Sequence, residues 1–357
     1  MGICASSTRL EPEQDSDENV VYVMDDQGGD AAGGRKVASL YSQKGKKGPN
    51  QDAVILCQGF GMEEGVLCGV FDGHGRCGQY VSKLVRDYLP FMILSHRNAL
   101  LLPSSSSSSS SGDEYDDPAA LSDATSASSS DGSGRINASP AQVLEEWREA
   151  CVSAFEAMDR ELKVQPNLDC EFSGTTAVCA IKQGKDLVVA NVGDSRAVVA
   201  TISDAGGYLK AVQLTTDQKP NVPEEAERIK RCGGRVFALK DEPSVARVWL
   251  PDEDAPGLAM SRSLGDHRLK RHGVVAEPRV THRRVGPGDL FMVLATDGVW
   301  DVLSNEEVVS IVCATPRKQH ASKAVAEAAA QRWRTRYPSS RVDDCSAVCL
   351  FLRDQDR

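Results

Sequence analysis

No stretch of the 357-residue chain approaches the roughly 20 consecutive apolar residues that span a bilayer. The N-terminus lacks the charged-then-apolar layout of a secretory signal, and both absences point to a soluble chain. The eleven cysteines contain no CxxC pair and no regular framework, which argues against a disulfide scaffold. Cys57, Cys68, Cys179 and Cys349 instead sit inside apolar runs, where a free thiol behaves as a small hydrophobe, so the set reads as reduced and intracellular. Basic charge is also short. A formal net charge of -10 argues against nonspecific nucleic-acid binding, which needs a basic surface to neutralise phosphates. Any anionic substrate must then be met by local positive charge, from side chains or from metal. The glycine-punctuated basic loop Lys44-Gly45-Lys46-Lys47-Gly48-Pro49-Asn50-Gln51-Asp52 is no P-loop, because the Gly-Lys-Ser/Thr ending is missing, and taken alone it reads as a solvated turn.

Hydrophobic residues make up 41% of the chain, enough at this length for a large core in one large domain or two ordinary ones. One stretch organises the remainder. Val66-Leu67-Cys68-Gly69-Val70-Phe71 is a short apolar run ending in Asp72-Gly73-His74-Gly75, a buried strand that delivers a carboxylate and an imidazole at its mouth. Glycines on both sides of His74 let backbone carbonyls approach a ligand, so the Gly73 carbonyl is itself a candidate ligand. Asp-Gly is also a common turn pair, which makes a hairpin the alternative. The apolar residues at helical spacing from Gln79 to Val85 disfavour it.

Along the chain, strands are expected at Ala53–Cys57 and Val66–Phe71, joined through Gly59-Phe60-Gly61, then a helix from about Gly78 to His96. Residues 103–135 hold eight consecutive serines (Ser104–Ser111) and an acidic tract, cannot bury enough apolar surface to offset ordering entropy, and read as a disordered insertion. Ser139-Pro140 supplies N-cap and N1 chemistry for a helix whose Leu144, Trp147, Cys151, Phe155, Met158 and Leu162 form one apolar face. Strands follow at Thr175–Ile181, Leu187–Val192 and Ala197–Ile202, with Gly193-Asp194-Ser195-Arg196 turning between the last two. A helix from Pro223 to Arg231 ends at Gly233-Gly234, which suits a left-handed C-cap. The buried run Leu290–Ala295 leads into Thr296-Asp297-Gly298-Val299-Trp300-Asp301, and Ser304 with Glu307 forms a capping box. The last strand, Ser346–Leu352, is preceded by Val342-Asp343-Asp344.

Three apolar strands thus meet carboxylates at their ends, at Asp72, Asp297 and Asp344. Unpaired carboxylates so placed repel one another and lose solvation, so a cluster of them needs a compensating cation. Hard oxygen ligands without an accompanying His/Cys set select Mg²⁺ or Mn²⁺ over Zn²⁺. A two-metal site of this kind would lower the pKa of a bridging water and clamp phosphoryl oxygens, which points to phosphate-ester hydrolysis.

Residues 1–35 are acidic and too poor in apolar residues to fold alone, and are expected to form a disordered arm. Its first residues, Met1-Gly2-Ile3-Cys4-Ala5-Ser6, fit the N-myristoylation pattern at Gly2, with Cys4 placed to take a palmitoyl group as a second membrane signal.

Five segments together carry a resemblance: Phe71-Asp72-Gly73-His74-Gly75, Ser173-Gly174-Thr175-Thr176, Asn191-Val192-Gly193-Asp194-Ser195-Arg196, Met260-Ser261-Arg262-Ser263-Leu264-Gly265-Asp266, and Ala295-Thr296-Asp297-Gly298-Val299-Trp300-Asp301. In this order they resemble the successive motifs of the metal-dependent type 2C Ser/Thr protein phosphatases, over about residues 36 to 353, and the stretch from Glu225 to Pro251 is most similar to plant members. The resemblance implies an α+β fold, a four-layer α-β-β-α sandwich with two central antiparallel sheets flanked by helices and a metal site in a cleft at one end. It implies a catalytic domain at 36–353, interrupted by the insertion, with a tail at 354–357. Carried over by motif, Asp72 would bridge two Mg²⁺ or Mn²⁺ ions, the Gly73 carbonyl would bind one, and Asp297 and Asp344 the other. Asp52 would help to hold coordinated water, and Asp194 with Asp301 would form a weaker third position. His74 would protonate the leaving serine or threonine oxygen as general acid. Lys47 stands where many members have an Arg that grips the phosphate, and Gln51 where many have Glu.

The implied partners are phosphoprotein substrates, signalling kinases or their targets, met by a monomer at the cytoplasmic face of the plasma membrane and in the cytoplasm. A catalytically silent phosphoprotein-binding scaffold is the rival; a decayed site would have lost one of Asp72, Asp297 or Asp344, and all three remain.

Overall fold

The computed structural model describes residues 22–25, 36–101, 139–203, 206–338 and 342–352. In chain order its elements begin with β1 (Tyr22–Asp25), β2 (Lys36–Gln43), β3 (Asp52–Gln58) and β4 (Val66–His74), followed by the helices α1 (Gly78–Leu101) and α2 (Pro140–Val164). Next come β5 (Gly174–Thr175), β6 (Ala177–Gln183), β7 (Asp186–Val192), β8 (Arg196–Ile202) and β9 (Leu209–Gln213), then α3 (Pro223–Arg231). A further stretch holds β10 (Arg235–Ala238), β11 (Ala246–Trp249), β12 (Pro256–Leu258), β13 (Leu264–Gly265), α4 (His267–Lys270) and β14 (Arg279–Arg284). The chain closes with β15 (Asp289–Ala295), α5 (Asp297–Trp300), α6 (Asn305–Ala314), α7 (Ala321–Arg336) and β16 (Cys345–Phe351). No helix among the described residues is long and apolar enough to cross a membrane.

Two antiparallel sheets form the centre. One runs β1-β2-β16-β15-β8-β9, and the other β13-β5-β4-β6-β7-β14 with β3 added on β4. They stack because their central strands are apolar on both faces. In β4, Val66, Cys68 and Val70 face the other sheet, where they meet Met292, Leu294, Val348 and Leu350, while Leu67 and Phe71 turn outward to α1 and α2. The alternation repeats in β15, whose Phe291, Val293 and Ala295 face the layer that holds α6 and α7. Helices therefore cover both outer faces, and the four-layer α-β-β-α sandwich that the resemblance implies is the fold observed.

Local chemistry follows the expected signals at most boundaries. Ser139 caps α2 in a full capping box with Gln142, Ser304 does the same for α6 with Glu307, and Gly233 ends α3 with φ +79°. Two expectations need correction. The strand expected at Thr175–Ile181 is split at Thr176, which leaves the ladder because its N–H donates to the Asp72 carbonyl and its hydroxyl bonds Ser195 Oγ at 2.7 Å. The N-terminal arm is not structureless throughout either. Tyr22–Asp25 pairs antiparallel with β2, since the run Val20-Val21-Tyr22-Val23-Met24 gives an otherwise acidic segment a local strand former. The rest of that arm, the insertion 103–135 and the tail 354–357 lie outside the described residues.

A small third sheet, β10-β11-β12, stands beside the sandwich and packs against α3. Val248 and Leu258 of this sheet pack with Ile229 of α3, and an ionic cluster fixes α3 to Ser261 and Arg262. Glu225 of α3 is buried and accepts from Arg262 Nη2 at 2.7 Å, Arg228 Nη2 at 2.7 Å and Ser261 Oγ at 2.6 Å. Burial alone would raise its pKa, but these hydrogen bonds hold it down at about 2. Removing one partner of such a group strands the other. Glu225→Ala leaves Arg262 buried without its carboxylate and should cost about 3–5 kcal/mol in urea unfolding. A loss below about 1 kcal/mol would mean that water reaches Arg262 and solvates it.

Candidate active site

The strand ends converge because of how the strands pair. Asp52 opens β3 directly opposite Asp72 near the end of β4. In the other sheet Ala295, the last residue of β15, pairs with Arg196 on one side and Ala347 on the other. The turn carrying Asp194, the start of α5 with Asp297 and the segment 343–344 before β16 therefore share one end of the sandwich. Hydroxyls tie the two sheets together there: Thr296 Oγ1 donates to Asp52 Oδ2 at 2.9 Å and accepts from Ser346 N at 3.2 Å. Two glycines permit the close approach. A Cβ on Gly73 would stand 2.3 Å from the Gly78 carbonyl oxygen, and one on Gly298 would stand 1.9 Å from that of Asp344.

Seven carboxylates gather here: Asp52, Asp72, Asp194, Asp297, Asp301, Asp343 and Asp344. Burial raises the pKa of Asp72, and Asp297, Asp52, Asp343 and Asp194 raise it further by repulsion. Asp297 is pushed up to about 8 by burial and then by Asp194, Asp301 and Asp343. Burial also raises Asp52, Asp301 and Asp344. A cluster in which each carboxylate disfavours the ionisation of its neighbours is a cation site by electrostatics. All the donors are hard oxygens, and Asp194 Oδ1 is buried without a hydrogen-bond partner, so the residues fit a hard divalent ion. As they stand, no three His, Cys, Asp or Glu side chains among the described residues form a set that could hold a metal ion.

The reason is visible in what the carboxylates hold instead. Lys219 forms an ion pair with Asp194, and Lys47 one with Asp343. Lys47 is thus engaged by a carboxylate of the site, half-exposed at its edge; burial opposes its charge, but Asp343, then Asp297 and Asp72, raise its pKa. Asp344 is used differently. Its Oδ1 accepts from Gly45 N at 2.7 Å and its Oδ2 from Gln51 N at 2.9 Å, so it fastens the basic loop. Its neighbour Asp343 is the one that faces Lys47 and raises Asp72 and Asp297. Asp344, expected from the motif as a cation ligand, is turned to the Gly45 and Gln51 amides and still raises the pKa of Asp52, whereas Asp343 bears on Asp72 and Asp297. Gln51 is a bracket as well: its Nε2 donates to the Gly75 carbonyl at 2.8 Å, and its carbonyl accepts from Gly73 N at 3.1 Å and Ser82 Oγ at 2.6 Å.

His74 lies at the mouth of the cluster. Its Nε2 is 2.7 Å from Asp266 Oδ2, which also accepts from Ser263 Oγ at 2.6 Å. An ionised Asp266 can only accept, so it keeps a proton on Nε2 and leaves Nδ1, buried without a partner, as the nitrogen that gains and loses the second proton of the imidazolium. Burial works against the imidazolium, but Asp266, with Asp194 and Asp297 beyond it, outweighs that and raises the His74 pKa. Asp266 itself adopts φ 50°, a conformation unusual for a residue with a side chain, and lies against Gly174, where a Cβ would come within 2.3 Å of its Oδ2. Asp266 closes the segment Met260-Ser261-Arg262-Ser263-Leu264-Gly265-Asp266, and nothing in that segment assigns it a role. Its left-handed conformation and its pairing with a residue 192 positions away leave no local signal.

A family model described as Protein phosphatase 2C matches residues 128–337. A probable protein phosphatase 2C 12 of Oryza sativa subsp. japonica is 72% identical over 359 residues, covering 99% of this chain and 92% of that protein. A probable protein phosphatase 2C 33 of Arabidopsis thaliana is 47% identical over 335 residues, covering 90% of this chain and 68% of that protein. The crystal structure of a serine-threonine phosphatase 2C from Toxoplasma gondii superimposes with a TM-score of 0.74 at 23% identity, covering 95% of this chain and 100% of that one; at that identity the likeness speaks for the fold alone.

The raised carboxylates have a consequence for stability. Asp297 titrates at about 8 in the native state against about 4 unfolded, so between those values the native state binds more protons. Metal-free stability therefore falls as pH rises through this window, by up to about 1.4 kcal/mol per pH unit for each such group. Melting in chelator should show a Tm that declines from pH 5 to pH 8 and a decline flattened by Mn²⁺. A metal-free Tm that climbs over the same range would contradict the cluster's electrostatics.

Proposed function

This chain belongs to the protein phosphatase 2C family and is a serine/threonine phosphatase, and we propose that it hydrolyses phosphoserine and phosphothreonine by direct attack of water at a two-cation centre, Mg²⁺ or Mn²⁺. The observation that carries this reading is the convergence of buried Asp72 and Asp297 with Asp52, Asp194, Asp301 and Asp343 at the sandwich end, where burial and neighbouring carboxylates raise the pKa of both Asp72 and Asp297, a field that calls for divalent charge. The family is metal-dependent. In this chain Asp72 and the Gly73 carbonyl would hold the cations together with Asp297 and Asp343, the last in place of the Asp344 expected from the motif. Asp194 and Asp301 would provide a weaker third position. When bound, the two cations would lower the pKa of a bridging water and offset the charge of the phosphoryl oxygens.

The residues around this centre divide the remaining work. Asp52, held by Thr296 Oγ1, orients water from the β3 side. Lys47 has to leave Asp343 to meet a phosphate, and as a point charge it lacks the two-pronged grip of arginine. His74 gives the Nδ1 proton of its imidazolium to the departing serine or threonine oxygen, and Asp266 orients the ring through Nε2–H and favours the charged form that carries that proton.

Phosphate release from a phosphoserine peptide with Mn²⁺ tests the reading: chelator and Asp72→Asn should each abolish it while the fold persists by circular dichroism. His74→Ala should slow the phosphopeptide at least about tenfold more than an aryl phosphate, whose leaving group needs little protonation. Equal turnover by Asp72→Asn at saturating Mn²⁺ would remove the two-cation centre, and equal losses on both substrates would remove His74 from the acid role.

The N-terminal signals at Gly2 and Cys4 lie outside the described residues, and their use is part of the same proposal. The phosphatase would work on signalling kinases or their targets from the cytoplasmic face of the plasma membrane and in the cytoplasm. A myristoyl chain alone binds membranes marginally, with a constant on the order of 10⁴ M⁻¹, so a second signal is needed. Arg9 is the only basic residue between Gly2 and Gly34, against eight acidic ones, which excludes a polybasic patch and leaves Cys4 palmitoylation. Fractionated cells should show Gly2→Ala fully soluble and Cys4→Ser mostly cytosolic with activity unchanged. Retention of Gly2→Ala in the membrane pellet would defeat lipid anchoring.

A further inference from the structure

Lys219 places an ammonium where a cation is called for. It pairs with Asp194 Oδ2 and also faces Asp297 and Asp301, the same carboxylates assigned above to the weaker third position. The Asp194 side chain is fully buried, and its second oxygen, Oδ1, has no hydrogen-bond partner. A buried carboxylate oxygen without a partner is uncommon and calls for an explanation, of which an unfilled ion position is one. The Lys219 ammonium, aided at Asp301 by the more distant Lys47, is set against three carboxylates, so the niche stays under-neutralised.

The backbone that carries Lys219 is held firmly. Gln218 accepts from Gly193 N through Oε1 at 2.7 Å, donates to the Asn191 carbonyl through Nε2 at 3.0 Å, and donates its N–H to the Gly193 carbonyl at 3.1 Å. Asp217 is bound by Arg196 at 2.5 and 3.0 Å. Both clamps grip the turn that bears Asp194, so the loop and the carboxylate keep a constant separation. What remains free to move is the Lys219 side chain, which is 33% exposed and has a way out to solvent.

We infer that Lys219 is an internal competitor of the third cation: its ammonium holds the Asp194, Asp297 and Asp301 niche until a divalent ion displaces it to solvent. The inference rests on the two-cation reading above and extends it. An ammonium on Asp194 Oδ2 and a divalent ion on the neighbouring Oδ1 would repel strongly in a poorly solvated site. If the ammonium fills the niche about nine-tenths of the time, the apparent affinity for the third ion falls about tenfold. The same ion pair neutralises part of the cluster in the metal-free protein.

The test counts bound Mn²⁺, by the electron paramagnetic resonance of free Mn²⁺, in the full chain and in Lys219→Met and Lys219→Arg. In Lys219→Met the weak class of site should tighten about tenfold or more while the tight pair is unchanged, and the metal-free protein should melt lower and regain more on adding Mn²⁺. Lys219→Arg, which keeps the charge, should bind the third ion no better than the wild type. Lys219→Gln serves in the same role if the methionine variant does not fold. A weak class equally populated in all variants, or lost in Lys219→Met, overturns the competition. A wild-type chain that takes up no Mn²⁺ tightly overturns the two-cation reading instead, and the competition with it.

Discussion

Mutual repulsion among the carboxylates at one end of the sandwich is the constraint on which the rest of the structure depends. Asp52, Asp72 and Asp297 are held out of water and each has its pKa raised by burial and by nearby carboxylates, an arrangement that on its own disfavours the native state. It persists because the strands bearing these residues cannot separate. β4 and β15 are buried on both faces, and each contributes side chains to the core between the sheets and to a second core beneath the helices. Apolar burial spread over the whole sandwich thus offsets an electrostatic cost confined to its edge, a division common at functional sites.

Short polar ties convert that stability into fixed geometry. Thr296 joins Asp52 to β16, Thr176 joins Asp72 to Ser195, and Gln51 links β3 to the loop around His74. Each tie crosses between elements far apart in the chain, so the carboxylates keep their spacing without help from a ligand. Ready-made rigidity of this kind is what electrostatic catalysis requires, because donors and charges aimed in advance need no reorganisation when charge develops.

The same field acts on the basic groups near it. It raises the pKa values of Lys47 and Lys219 and draws both ammonium groups into ion pairs, and it favours the charged form of His74 through Asp266. Positive charge at this end of the molecule is therefore held in ion pairs, Lys47 with Asp343, Lys219 with Asp194 and His74 with Asp266. The acid and the cation centre are coupled by Coulomb interaction through a few residues, since Asp194 and Asp297 act on both.

Much of this was legible in the chain itself. The unbroken apolar runs of β4, β15 and β16, the N-cap at Ser139, the capping box at Ser304, and the carboxylates that border apolar strands are local patterns, set by side-chain polarity and hydrogen-bond chemistry within a few residues. The ordered motifs then pointed to family and fold. What local pattern could not decide was orientation and partnership. Asp343 and Asp344 are equivalent in composition, and only the approach of Gly45 and Gln51 from a distant loop turns one toward backbone amides and leaves the other facing Lys47. Asp266 finds His74, and Lys219 finds Asp194, across 192 and 25 residues of chain. Such pairings depend on how the two sheets stack and which loops meet at their ends, and that is settled by the packing of the whole domain.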